Sequence, residues 1–434
     1  MNQIEPRSQS ARATRACWAV YLRRPLLFTE RNNRAKVQPD VFPIVPTVAY
    51  SWWRSAQFLR PLSTVRSSTL TELSRRDWLL ISTAAASSLL YPAMVNASKH
   101  DRIRLALNEN PFGPSPQALQ AIKAHLTDLS RYTGDELAEL TQTIAARENV
   151  AAEQIVLGEI LDVLGLYLSA HGGPGGEFVY SEPGYTALVD AVSPAGGTVV
   201  GVPLNDQLQN DLAAIAGKVN GRTRAVYLVN PHNPSGTVSD AAPFVEFVHE
   251  LSKRTLVIVD EAYLEFTPDF EKRTVTGLVH GGDQVAVFRT FAKIYGLASL
   301  AIGYTLAPAD LAKSVKQLGI GAFFGLNRLS LVAANASLKD ADYIPSVRAK
   351  VIAERDAWHE LFRKRKVRFT ESQGNFVFFD AGRPQQAVAS ALAAQGIDIG
   401  RGYPPLDTWV RISIGLPEEN AIARRAVADL LRST

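Results

Sequence analysis

Residues 289–304, RTFAKIYGLASLAIGY, set a single lysine, Lys293, between a Thr-Phe-Ala turn and a run of apolar residues and glycines. A lysine ammonium is strongly hydrated and seldom enters such surroundings unless its charge is paired or its pKa lowered. An amine that is easily neutral is both a nucleophile and a base. Upstream, VDEAY places Asp260 and Glu261 directly after the apolar run LVIV. A carboxylate left unpaired at the edge of an apolar core costs on the order of several kcal/mol, so Asp260 calls for a cationic partner. VNPHNPSGT offers side-chain amides, with Asn233 aimed by a rigid proline turn, and SEPGYTAL brings Tyr185. Taken singly, each has an ordinary structural reading: a turn for Asn233, a helix cap for Asp260, core aromatics for Tyr185 and Tyr263. Together they lie in order at or near the ends of predicted strands, and the C-terminal strand ends of a parallel sheet collect ligands in one crevice.

Those strands are continuous apolar runs: EFVYSEPGY, TVVGVP, TRAVYLVNP, TLVIVDEAY, QVAVFRT and AIGYTLAP. Runs apolar on both faces, separated by periodic segments such as DAAPFVEFVHELSKR, are what a parallel sheet sandwiched by helices requires. The pattern predicts a large α/β domain with an N-terminal arm over residues 99–338. A long amphipathic helix at 340–366, then VRFTES, NFVFFDA, IDIGRG and WVRISIG alternating with helices, predicts a smaller α+β domain over 339–434. The glycine cluster HGGPGG precedes a strand instead of lying between a strand and its following helix, so it reads as a turn and not as a phosphate cradle.

With 434 residues and 46% hydrophobic content, the chain is long enough for two sizeable cores and too apolar for general disorder. A single cysteine, Cys17, excludes an intramolecular disulfide framework, and seven scattered histidines without paired spacing give no metal site. The formal charge of +4 is uneven: eleven Lys/Arg face four Asp/Glu in residues 1–73, leaving 35 against 38 in the remainder. The body therefore offers no electrostatic basis for nucleic-acid binding. Residues 1–73 read as a disordered basic leader. Residues 74–98, SRRDWLLISTAAASSLLYPAMVNAS, join the pair Arg75–Arg76 to an apolar run ending in small residues. That stretch resembles a twin-arginine export signal and implies a periplasmic protein; the alternative is an amphipathic N-terminal helix behind a flexible arm on a cytoplasmic one. The run is short and rich in Ser and Ala, which argues against a stable membrane anchor.

The order Y-x-x-P-G-Y, N-P-x-N-P-S-G, D-E-A-Y, then T-F-x-K followed by G-L-A resembles pyridoxal-phosphate-dependent aminotransferases of fold type I, in particular their histidinol-phosphate aminotransferase-like branch. The likeness runs from LALNENPFGPSP near residue 105 to RISIGLPEEN near residue 420. It implies an α/β fold with a mostly parallel central sheet, helices on both faces, and a smaller α+β C-terminal domain. It implies a homodimer that moves an amino group between an amino acid or amino-phosphate ester and a 2-oxo acid. By the same resemblance Lys293 forms a Schiff base with pyridoxal 5'-phosphate, Asp260 pairs with the pyridine nitrogen, and Asn233 and Tyr263 bond the ring hydroxyl. Tyr185 stacks on the ring, Thr290 holds the phosphate, and Tyr132 reaches the partner subunit's phosphate. Arg411 takes the substrate carboxylate, with Asn110 and Asn375 also on the substrate side. A carboxylate on the pyridine nitrogen keeps it protonated, so that the ring withdraws the electrons left when the α-proton goes. An arginine offers a bidentate fork that lysine lacks.

The chain also departs from that pattern. Ala301 stands where relatives carry an arginine eight residues after the lysine, and LGEILD replaces a hydroxyl-bearing turn, giving the cofactor phosphate a weakened hold. The side chain of Glu159 is expected to point away from the phosphate, which it would repel. GAFFGLNRL stands where relatives tend to have an Asn-Val-Asn turn, so only Asn327 carries over there. A decarboxylase or lyase of the same fold, or a non-catalytic binding protein derived from it, are the competing readings.

Overall fold

In a computed structural model, residues 102–171, 175–322 and 324–432 are described. Cys17, the leader, the pair Arg75–Arg76 with its apolar run, and Gly172–Pro174 of the glycine cluster lie outside them. Eleven strands are formed: β1 (Ile103–Leu105), β2 (Ile155–Leu157), β3 (Glu177–Glu182), β4 (Thr198–Pro203), β5 (Thr223–Val229), β6 (Leu256–Asp260), β7 (Val285–Thr290), β8 (Gly303–Leu306), β9 (Phe376–Asp380), β10 (Ile397–Ile399) and β11 (Trp409–Ser413).

Each apolar run becomes a strand because β-branched and aromatic residues fit a surface covered on both sides. Val257, Ile258 and Val259 of β6 and Val285, Ala286 and Val287 of β7 are fully buried. Seven strands form one sheet in the order β2-β8-β7-β6-β5-β3-β4, with helices on both faces. All neighbours are parallel except β8, which runs antiparallel to both β7 and β2. After β3 the chain moves outward to β4 and then returns to add β5, β6 and β7 on the other side. The reversal leaves a crevice beyond the C-terminal ends of β3 and β5. Tyr185 follows β3, Asn233 follows β5, Asp260 ends β6 and Thr290 ends β7.

The helix Tyr343–Arg365 leads into the smaller α+β part, where β9 and β11 pair antiparallel. The expected strand VRFTES is reduced to one bridge, Phe369 to Phe379, because Thr370 and Ser372 bond the Asn-Pro loop and their own segment instead of continuing a ladder. That contact is close. Gly236 has a φ of 73°, and a Cβ on it would lie 1.9 Å from Ser372 Oγ, so only glycine fits. Thr370 Oγ1 donates to Ser235 O at 2.5 Å and Gln373 N to Gly236 O at 2.7 Å. The β1 strand pairs in parallel with β10, which ties the N-terminal segment to the same part. Among the described residues no helix is long and apolar enough to cross a membrane.

Beneath the crevice lies a buried charge cluster. Arg289 and Glu261, each 1% exposed, pair at 2.8 Å, with Glu148 and Glu265 at 3.4 and 3.6 Å from the same guanidinium. Thr274 Oγ1 accepts from Arg289 Nη2 at 2.9 Å. Removing one member of a buried ion pair strands its partner. Arg289→Ala, which leaves three carboxylates without this cation, is therefore expected to lower unfolding free energy by about 3–5 kcal/mol. A fall in the denaturant midpoint at unchanged slope checks it.

Candidate functional site

Asp260 is the polar terminus of an otherwise apolar strand and is 1% exposed. Tyr227 Oη donates to Oδ2 at 2.9 Å and the Ala262 amide to Oδ1 at 2.9 Å. Burial raises its pKa to about 6, against the pull of those donors and of the Lys293 charge. No cation lies within ion-pairing distance of it among the described residues. Tyr227 was not singled out in the sequence. The signal available was a lone hydroxyl in a strand buried on both faces, since a buried tyrosine oxygen needs a partner.

Lys293 Nζ donates to Leu107 O at 3.1 Å and lies 5.7 Å from the centre of the Tyr263 ring. Tyr263 Oη accepts from Asn108 Nδ2 at 3.1 Å and from Asn233 Nδ2 at 3.4 Å. Asn233 Oδ1 in turn accepts from Arg411 Nη1 at 2.6 Å. A chain of polar contacts thus runs from Asn108 through Tyr263 and Asn233 to Arg411, on four separate segments. Asn108 was not anticipated. Its backbone φ of 54°, with its side-chain oxygen accepting from Ser413 Oγ at 2.9 Å, is a tertiary device with no local sequence signature.

Arg411 lies on β11 and is buried. Its Nη2 donates to Ala106 O at 2.7 Å, while its buried Nε has no hydrogen-bond partner. Asn375 Nδ2 donates to Asn108 O at 2.9 Å, and its buried Oδ1 is likewise without a partner. Asn110 Nδ2 donates to Ile294 O at 2.7 Å, so this amide pins the N-terminal segment to the Lys293 turn. Tyr185 is 41% exposed at the crevice, with its pKa raised by burial and by the Asp260 charge. His232, between the two Asn-Pro pairs, is buried and held neutral, its pKa lowered to about 3 by desolvation. Its Nδ1 bonds Ser235 Oγ at 2.9 Å. Tyr132 lies apart from this chain of contacts: it is 78% exposed and packs edge-on to Phe324 at 5.9 Å.

One expectation is overturned. The Glu159 side chain does not point away; its Oε1 accepts from Thr290 Oγ1, and burial of the carboxylate raises its pKa to about 7. Taken as a whole residue, Glu159 is solvent-exposed. The reason is local. Ile160 and Leu161, both buried, carry the turn into the helix Leu161–Ala170, which leaves Glu159 facing the end of β7. Thr290 Oγ1 also accepts from the Ala292 amide at 2.8 Å, so its hydrogen is directed to Glu159.

The sequence model of the family Aminotransferase class I and II matches residues 100–427. The histidinol-phosphate aminotransferase of Limosilactobacillus fermentum is 34% identical over 333 residues, covering 76% of this chain and 91% of that protein. The aromatic amino acid aminotransferase of Thermobifida fusca is 34% identical, over 73% of this chain and 87% of that one. The crystal structure of histidinol-phosphate aminotransferase from Sinorhizobium meliloti in complex with pyridoxal-5'-phosphate superposes with a TM-score of 0.70 at 32% identity, over 76% and 91% of the two chains. The sheet order, the crevice and these matches agree: the chain belongs to the class I and II aminotransferases, the fold type I pyridoxal-phosphate-dependent enzymes, in their histidinol-phosphate aminotransferase-like branch.

Proposed function

We propose that this pyridoxal-phosphate-dependent aminotransferase takes its amino group from an amino acid or amino-phosphate ester whose anionic group is held by Arg411. Lys293, Asp260, Asn233, Tyr263 and Tyr185 form the machinery around the cofactor. The ring end of the crevice fits pyridoxal phosphate. Asp260 is a buried carboxylate with two hydrogen-bond donors and no ion-pair partner among the described residues, and a protonated pyridine nitrogen is the cation it lacks. Tyr263 Oη already accepts two N–H groups, so its own hydrogen is left for an acceptor such as the ring's phenolic oxygen. When bound, the cofactor supplies an aldehyde that condenses with amines and a ring that delocalises electrons released at the substrate Cα.

The protein groups do the rest. Asp260 holds the proton on the pyridine nitrogen. Lys293 Nζ would take the proton from the substrate Cα and would deliver it to the former aldehyde carbon of the cofactor, the transfer that distinguishes transamination from simple exchange. Arg411, its guanidinium fixed by Asn233 and Ala106 and its Nε unpartnered, turns a donor edge to the substrate anion. Tyr185 covers one face of the ring. The observation that carries this reading is Asp260, because a buried carboxylate with two donors and no cation among the described residues is further stabilised by a cationic ligand. The relatives are aminotransferases, which disfavours a decarboxylase, a lyase or a non-catalytic descendant. We further propose a homodimer, in which exposed Tyr132 faces the partner's crevice, and export through the arginine pair Arg75–Arg76.

Lys293→Ala is expected to abolish the Schiff-base absorbance band of bound cofactor and all transamination. Arg411→Lys is expected to raise KM by about ten- to a hundredfold, because a bidentate charge-assisted contact of about 1.5–3 kcal/mol becomes monodentate. Single-turnover mixing of the holoenzyme with histidinol phosphate, aromatic amino acids or aspartate, followed by loss of that absorbance, identifies the donor. Export is checked by fractionation: Arg75→Lys with Arg76→Lys should retain the protein in the cytoplasm of a bacterial host, and a wild type found wholly there would refute it.

Asp260→Asn is expected to lower turnover by orders of magnitude while stabilising the cofactor-free protein. The folded carboxyl has a pKa of about 6 against 3.8 ordinarily, so between those values the folded state binds the proton more tightly and stability falls as pH rises. Above that window the charged form costs at most about 3 kcal/mol, which the amide avoids. Thermal melts should show the variant ahead near neutral pH and the difference closing toward about pH 4.

A further inference from the structure

Glu159 is an acid placed where the proposed reading requires an anion to sit. It occupies the turn before the helix Leu161–Ala170, bonded to Thr290 Oγ1 at the end of β7. Gly303 of β8 makes room for it, since a Cβ there would come within 3.1 Å of Glu159 Oε1. The groups acting on this carboxyl are Asp162 on its own helix, Asp260 from β6, and Thr290 and Lys293 from β7 and the following turn. Tyr185, from the loop after β3, also feels its charge. Lys293 is the one cation among these, and it is the residue assigned to the cofactor's aldehyde. Ala301, just before β8, supplies no charge.

A phosphate monoester carries about −1.5 to −2 charges at neutral pH. Set against an ionised Glu159, with Asp162 and Asp260 also acting there, it would meet repulsion, with Lys293 the one cation acting on that carboxyl. A carboxyl that keeps its proton has the opposite effect, because it donates a charge-assisted hydrogen bond to a phosphate oxygen. Thr290 already directs its hydrogen at one carboxyl oxygen, which leaves the other to carry the proton.

We propose that Glu159 meets the cofactor's phosphate as a neutral carboxylic acid donating its O–H to a phosphate oxygen, so that above neutral pH binding the cofactor takes up one proton. The proposal rests on the aminotransferase reading above and concerns only the phosphate end of the crevice. The proton comes from solvent, resides on Glu159 in the complex, and returns to solvent when the cofactor leaves. Cofactor affinity therefore falls with rising pH, which an arginine in this place would not produce.

Full-length protein stripped of cofactor is titrated with pyridoxal phosphate, and separately with pyridoxal, from about pH 6 to about pH 8.5, following cofactor absorbance. Wild-type affinity for pyridoxal phosphate should drop about tenfold per pH unit above neutrality relative to Glu159→Gln, the signature of one linked proton. Glu159→Gln keeps a donor without a charge. It should match wild type near pH 6 and bind roughly thirtyfold tighter near pH 8.5. Glu159→Ala should lose the pH slope but bind about tenfold or more weakly than wild type near pH 6, because the donor is gone. Pyridoxal, lacking the phosphate, should be indifferent to both substitutions, which separates this role from a merely structural one. Calorimetry near pH 8.5 in two buffers of different ionisation enthalpy should count close to one more proton taken up by wild type than by Glu159→Gln, and the difference should vanish near pH 6. Parallel pH profiles, or weaker binding by Glu159→Gln at high pH, would overturn the proposal and mean that a cation from a second copy pairs with an ionised Glu159. Absence of cofactor absorbance in wild type at every pH would instead overturn the reading beneath it, and the proposal with it.

Discussion

The buried pair between Arg289 and Glu261 fixes the geometry on which the rest of the site depends. Side chains alternate along a strand, so adjacent residues face opposite sides of the sheet. Glu261 continues the β6 ladder by donating its amide to Phe288 O, which sets it beside Arg289. Once those two charges are locked together on one side, Asp260 and Thr290, each their neighbour in sequence, are turned to the other. A slip of one residue between β6 and β7 would part Arg289 from Glu261 and turn Asp260 away from the crevice together. Burial makes such an error costly, because Glu148 and Glu265 share the same guanidinium. The interaction is no strong source of net stability, since desolvation offsets much of the attraction. Its contribution is to exclude the wrong register.

On the functional side of the same strands the logic is inverted, and charges are left without protein partners. Asp260 has donors but no cation, Arg411 has an unpartnered Nε, and Asn375 has an unpartnered Oδ1. A folded chain rarely leaves buried polar atoms unsatisfied, and each calls for a water, an ion or a ligand. The three lie on β6, on β11 and just before β9, so the small and large parts of the fold each supply one side of the crevice. The close approach at Gly236 and Ser372 keeps those two sides together.

Much of this was legible in the sequence because it is local. Strands buried on both faces appear as unbroken apolar runs, and all six such runs became strands of the central sheet. The motif order around Asn233, Asp260 and Lys293 marks strand ends. What was not legible depends on tertiary partners. Nothing in VDEAY tells which of its two carboxylates receives the protein's own cation: the structure gives Arg289 to Glu261 and leaves Asp260 free. The pairing of β1 with β10 joins three-residue strands almost 300 positions apart, too short for any periodic signal. The direction of Glu159 was misread because a repulsive charge was assumed to turn away. The buried neighbours Ile160 and Leu161 decide that direction, since burying two large apolar side chains outweighs placing one carboxyl whose proton can be retained.

Glu159 and Asp260 then illustrate how one crevice runs two acids in opposite states. Burial raises both, to about 7 and about 6. Their neighbours differ in the direction that matters. Asp260 accepts from both Tyr227 and Ala262, two bonds that favour the anion, and in the proposed complex it would meet a proton-bearing nitrogen. Glu159 accepts from Thr290, with Asp260 and Asp162 acting on it as anions against the pull of Lys293, and in the proposed complex it would meet a dianion. A cation arriving at the first lowers its pKa further, and an anion arriving at the second raises it further. The ligand therefore separates two values that lie close together in its absence, which is how a pair of carboxyls acquires distinct roles without any change in residue type.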